Sequence, residues 1–127
     1  MEKMLYAKAL EARENAYAPF SGFKVGAALL TEDEKIYTGV NVENSSYGAT
    51  ICAERTAFVK AISEGCRQFK ALAVTAGDEQ EALPCGICRQ FMYEFSPEMK
   101  VITGTDIGDL NIRTLEELLP GGFKLDK

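Results

Sequence analysis

The chain has no histidine, so any site that requires an imidazole ligand is excluded and a metal would have to be held by sulfur or carboxylate. It has no apolar run long enough to cross a bilayer. Met1-Glu2-Lys3 leads straight into an amphipathic pattern, so a signal peptide is not expected and a cytoplasmic location is. Basic residues are in deficit: 14 Lys and Arg stand against 19 Asp and Glu, a net charge of −5. The cations are scattered with no basic stripe, which argues against a nucleic-acid partner. Low-complexity runs and internal repeats are absent. With 127 residues the chain reads as one domain, 1–127, with room for one core but little for a deep self-contained pocket.

Cysteine is also scarce, at four residues, yet three of the four fall in two short stretches. These are Cys52-Ala53-Glu54-Arg55 and Pro84-Cys85-Gly86-Ile87-Cys88. In a reducing compartment such a set favours metal or catalysis over disulfides. The C-x-x-C spacing places two sulfurs about one helical turn apart, near the start of a segment that reads as a helix. Cys52 and Glu54 would point to different faces inside a helix. Cys52 is therefore expected at a helix start, where free N–H groups stabilise a thiolate and Glu54 can lean toward the same metal without binding it. Three protein ligands leave the fourth tetrahedral position of zinc open, as in catalytic sites. A closed site completed by Cys66 is the structural alternative, although Cys52 and Cys66 are too far apart for a knuckle. A C-x-x-C oxidoreductase leaves Cys52-x-Glu54 unexplained.

Along the chain, Met1, Leu5, Ala9, Ala12 and Ala16 recur at helical spacing, ended by Pro19 and Gly22. Phe23–Leu30 and Ile36–Val42 read as a hairpin across Glu32-Asp33-Glu34-Lys35. Gly26 and Gly39 within it suggest a bulge or a close backbone approach, with simple tolerance of glycine as the alternative. A second helix begins near Cys52, with Thr50 as its expected cap, and stops at Gly65. Ala71–Ala76 is apolar on both faces, as expected of a central strand. The second cysteine helix buries Ile87, Phe91 and Phe95 in this reading. Val101–Thr103 and Asp109–Arg113 are short strands with a tight return. Thr114-x-x-Glu117 is a capping box. The order implies an α/β fold, a three-layer α/β/α sandwich on a mixed five-stranded sheet, with a site where the cysteine helices start.

The two cysteine motifs match the zinc-dependent nucleoside and base deaminases. Phe23–Ala28, Asn41-Val42-Glu43-Asn44, Cys52–Ala57, Pro84–Gln90 and Glu117–Pro120 resemble, in order and spacing, the small cytidine deaminases. That resemblance implies one zinc on Cys52, Cys85 and Cys88, with Glu54 shuttling protons in the hydrolytic deamination of cytidine and deoxycytidine for pyrimidine salvage. Three thiolates leave the zinc site with one net negative charge, and Arg55 is expected to draw electron density from the sulfurs. The resemblance further assigns Phe23 to the wall of the base pocket, Asn41 and Glu43 to the ribose, and the Ala53 backbone to the pyrimidine edge. Ser45 and Tyr47 fall near the 5′ hydroxyl, and Phe123 over a neighbouring subunit's base in a homotetramer. The alternative substrates are another nucleoside or base: adenosine in tRNA, guanine, or a nucleoside antibiotic.

Overall fold

Alternation of polar and apolar residues is absent from the segment around Ala71–Ala76, and in the computed structural model, which describes residues 1–126, that segment lies mid-sheet. Strand β3 (Phe69–Thr75) has β1 (Gly26–Thr31) on one side and β4 (Lys100–Thr103) on the other; β2 (Ile36–Val40) and β5 (Asn111–Thr114) form the edges. Among these five strands only β3 and β4 run parallel; the other neighbours are antiparallel. Helix α1 (Glu2–Ala12) covers one face, packing Leu5, Tyr6 and Ala9 on Ala28, Leu30, Ala71, Ala73 and Ile102. Helices α2 (Ala53–Ser63) and α3 (Gly86–Tyr93), with the short α4 (Leu115–Leu118), cover the other over Ala27, Leu29, Leu72 and Val74. The three-layer α/β/α expectation therefore describes the fold, with a mixed sheet of five strands.

The face under α2 and α3 is held by an aromatic cluster. Phe58, fully buried on α2, has its ring 4.8 Å from that of Phe69, with Phe91 and Phe95 beyond. Truncating such a residue to alanine costs roughly 3–5 kcal/mol.

Two strand glycines explain how closely the layers pack. A Cβ on Gly26 would fall 2.1 Å from the Ala9 carbonyl oxygen, and one on Gly39 would fall 2.4 Å from that of Ala53. Both are close approaches of helix backbone to strand backbone. The bulge in β1 lies elsewhere, between Leu30 and Thr31.

Several boundaries differ from the sequence reading. The first helix ends at Ala12 with a 3₁₀ turn at Arg13–Asn15, and Ala16 is extended, because Tyr17 must bridge to Val42. Strand β1 starts at Gly26, since Phe23, Lys24 and Val25 spend backbone groups on side chains: Asn41 bonds Phe23 and Val25, and Arg13 bonds the Lys24 carbonyl. Cys52, not Thr50, occupies the cap position of α2; the Thr50 hydroxyl accepts from the Asn44 amide. On α3 the buried stripe is Cys88 and Met92, while Ile87 is 69% exposed. Phe91 and Phe95 are half-buried and pack on the core beside Phe58, so of the three expected positions it is Ile87 that faces away. The Thr114–Glu117 capping box is present.

Candidate metal centre and substrate pocket

Helices α2 and α3 start beside each other at the end of the sheet where β3 terminates, and each start carries a cysteine in the cap position, Cys52 and Cys85. Both caps are extended backbone, so the first helical N–H groups are free of intrahelical partners. Cys88 sits one turn into α3 and, like any helical side chain, leans back toward the N-terminus. The result brings the sulfurs of Cys52, Cys85 and Cys88 within 4.8 Å of one another, with Cys52 Sγ and Cys85 Sγ 3.9 Å apart. Tetrahedral zinc with bonds of about 2.3 Å needs sulfurs about 3.8 Å apart, so the trio fits the ion. Cys66 stands outside it and pairs with the Tyr37 hydroxyl at 3.7 Å. That removes the four-cysteine alternative.

The electrostatics follow from burial and proximity. The Cys52 thiol is drawn down to about 5, first by its hydrogen bond with Cys88 and then by Arg55. Cys88 is pushed the other way by the Cys52 sulfur and by burial. A thiolate on Cys52 thus makes a second one on Cys88 costly without a cation between them. Arg55 would be discharged by burial, but the Cys88 and Cys52 sulfurs outweigh that and raise its pKa. Its Nη2 donates to the Thr50 carbonyl at 3.4 Å, and its buried Nε has no hydrogen-bond partner among the described residues. Arg55 is therefore turned into the site and not into solvent. Glu54 is 4% exposed. Burial raises its carboxyl to about 7, despite the opposing hydrogen bond from its own backbone amide.

A pocket of about 260 Å³ opens at this point. Its walls include Phe23, Asn41, Cys52, Ala53, Glu54 and Cys85. The sequence reading did not place the apolar remainder, Val25, Ile51, Val74, Ala82 and Leu83, or the polar Thr50, Gln80 and Glu81, in the pocket. Val25 falls inside the Phe23–Ala28 stretch and Thr50 and Ile51 precede Cys52, while Val74 and residues 80–83 carry no motif of their own. A wider hollow of about 430 Å³ around Glu32, Asp33, Lys35 and Cys66 has charged walls and none of the three clustered cysteines.

The remaining candidates are placed differently. Asn41, buried, accepts from the Val25 amide at 2.9 Å and donates to the Phe23 carbonyl at 2.7 Å. Glu43 accepts from the Phe20 amide at 2.9 Å and from the Ser21 amide and hydroxyl. Alternate residues of an extended segment thus face the same way, but both grip the 20–25 loop that carries Phe23, and only Asn41 reaches the pocket wall. Ser45 is exposed and Tyr47 is 80% exposed, its ring edge-on to Phe20. Phe123 is 61% exposed, fastened through its backbone carbonyl to Gln90 Nε2 at 2.8 Å. None of these three lines the pocket.

Residues 1–105 match a family model described as the cytidine and deoxycytidylate deaminase zinc-binding region. The chain is 52% identical to a cytidine deaminase of Sporosarcina psychrophila over 97% of its own length and 90% of that protein's. Its fold overlays a crystal structure of cytidine deaminase from Burkholderia pseudomallei with a TM-score of 0.91 and 45% identity, covering 97% of this chain and 99% of that one. At greater distance it is 32% identical to a blasticidin-S deaminase of Bacillus cereus, over 76% of this chain and 74% of that protein.

Proposed function

The chain belongs to the cytidine and deoxycytidylate deaminase family, and on that premise we propose that it catalyses the hydrolytic deamination of cytidine, and of deoxycytidine, to the uracil nucleoside and ammonia. The observation that carries the reading is the convergence of three sulfurs at zinc spacing with a buried carboxyl, Glu54, on the wall of one pocket.

Cys52, Cys85 and Cys88 would hold the zinc. Bound there, the metal supplies the Lewis acidity that makes water a nucleophile near neutral pH. Glu54 takes one proton from the water that adds to C4 and delivers it to N3. It then carries the second proton to the exocyclic amine, and the C4–N bond breaks to release ammonia while the C4 carbonyl forms. A carboxyl with a pKa near neutrality gives and takes protons with comparable ease, which suits one group serving both transfers. Arg55 keeps a positive charge beside the sulfurs, so the thiolates donate less density to the metal.

In this reading Phe23 stacks on the pyrimidine and the free amide of Ala53 meets its polar edge. Asn41 offers its remaining hydrogen-bond capacity to the ribose, and Glu43 reaches the same sugar from beyond Ser21. Ser45 and Tyr47 lie toward the 5′ hydroxyl. The whole of 1–127 forms one catalytic domain. The assembly is a homotetramer in which Phe123 closes a neighbour's pocket; the apolar rings of Tyr17, Phe20, Tyr47 and Phe123 left on the surface support this. Among the described residues no helix is long and apolar enough to cross a membrane. Reduced cysteine ligands suit a role in pyrimidine salvage in the cytoplasm.

The likeness to a blasticidin-S deaminase makes a modified nucleoside the second reading. Loss of ultraviolet absorbance separates the two when cytidine, deoxycytidine, blasticidin S, adenosine, guanine and cytosine are run in parallel. Cytidine and deoxycytidine should be turned over with the highest kcat/KM. Preference for any other substrate would replace the proposal.

A further inference from the structure

The connection from β3 to α3 supplies a pocket wall and leads into Cys85, yet it is almost untethered. Between Asp78 and Leu83, among the described residues, the only hydrogen bonds are those received by the Glu81 carboxylate. Its Oε2 accepts from the Thr103 hydroxyl and from Asn111 Nδ2 at 2.7 Å, and lies 3.9 Å from Arg113 Nη1. Thr103 is the fully buried last residue of β4, while Asn111 and Arg113 belong to β5, the edge strand farthest from β2. None of the three donors lines the pocket, whereas Glu81 does.

We propose that Glu81 is a positioning residue: its carboxylate fastens the pocket-lining loop, and with it Cys85, to strands β4 and β5. The carboxylate is thereby turned toward its partners and its charge is met by Arg113, so no free anion confronts the sulfur cluster. Thr103 and Asn111 hold its carboxyl below the usual range, consistent with an ionised acceptor. This proposal rests on the deaminase reading for its activity arm alone.

The test is a double-mutant cycle on the zinc-loaded enzyme with Glu81→Ala, Asn111→Ala and the pair. Asn111 is exposed, so its removal should leave the fold intact. KM and kcat for cytidine are measured, together with the rate of zinc release to a chromogenic chelator. Each single variant should lower kcat/KM roughly tenfold, mainly through KM, as expected for loss of a charge-assisted hydrogen bond. Zinc release should quicken in both, and the double variant should be no worse than the poorer single. Glu81→Asp, which keeps the charge, should recover part of the loss. Were Glu81→Ala to misfold, Glu81→Gln takes its place in the cycle. Asn111→Ala within twofold of wild type in both readouts, or effects that multiply in the double variant, would overturn the proposal. Wild-type protein inactive on cytidine counts against the assigned reaction instead, and zinc release then decides the role of Glu81.

Discussion

The floor and the rim of the pocket are built in opposite ways. On the floor, function is carried by side chains whose positions follow from helix starts: the half-buried Cys52 and the exposed Cys85 as caps, the buried Cys88 one turn on, and Glu54 packed beneath the surface. At the rim the backbone is what is held. Phe123 is tied through its carbonyl, and its ring and that of Tyr47 stay in solvent. A floor of this kind is complete within one chain, whereas a rim of this kind has rings available for a neighbour.

The sharpest way to break the contrast is to remove a floor ligand. Cys88→Ser should lose bound zinc and reduce turnover to background, while Cys66→Ala keeps both; metal analysis after gel filtration checks this. Retention of zinc by the first and loss by the second would reverse the site assignment.

Next in size is Glu54→Gln, which should keep zinc and lose at least ~10⁴-fold in kcat, the upper end of general acid–base effects, because one group serves both transfers. The same variant has a second signature. Since burial raises Glu54 from 4.5 to about 7, its contribution to folding is present below pH ~4.5 and lost as pH rises toward 7. Zinc-stripped Glu54→Gln should then be more stable than zinc-stripped wild type by up to roughly 3 kcal/mol above pH 7, with the gap closing in acid. Denaturant titrations at pH 5 and pH 8 read this out, and equal gaps at both values would refute the burial effect.

A smaller effect is expected at the rim. Phe123→Ala should lower kcat/KM by roughly 5- to 150-fold, the value of one aromatic ring stacked on a base. Unfolding and refolding it together with Glu54→Gln should restore activity above either parent. No recovery in mixed oligomers verified by mass spectrometry would confine Phe123 to its own subunit. The smallest effects belong to Ser45→Ala and Tyr47→Ala, at under about threefold each, as befits exposed groups with one edge-on ring contact between them. A tenfold loss at either position would move it from rim to floor.

The same divide governs how much could be read from the sequence. The floor is local chemistry: C-x-x-C and Cys-x-Glu have fixed reach, so their meaning survives without knowledge of the fold. The hairpin, the central strand and the Thr114 capping box are local too. What escaped depends on distant partners. Nothing near Ala12 says that the chain must leave the helix to let Tyr17 meet Val42. Nothing in the spacing of Ile87, Phe91 and Phe95 says that Ile87 is left outside while Cys88 and Met92 turn into the core. Ala82 and Leu83 become pocket wall only because the β3–α3 connection folds over the sheet end. Asn41 and Glu43 were legible as a pair facing one way, but their partners on the 20–25 loop were not.

Under the start of α2, strand β2 leaves room for a hydrogen atom and nothing larger. An alanine at position 39 would lift the helix by about 1 Å before ordinary contact with Ala53 was restored. Cys52 and Glu54 would rise with it, while Cys85 and Cys88, anchored on another helix, would stay. A side chain at this position is therefore opposed by packing and not by chemistry. The residue with no side chain at all sets the working gap between the two halves of the catalytic centre, and a survey that ranked positions by reactive groups would pass over it.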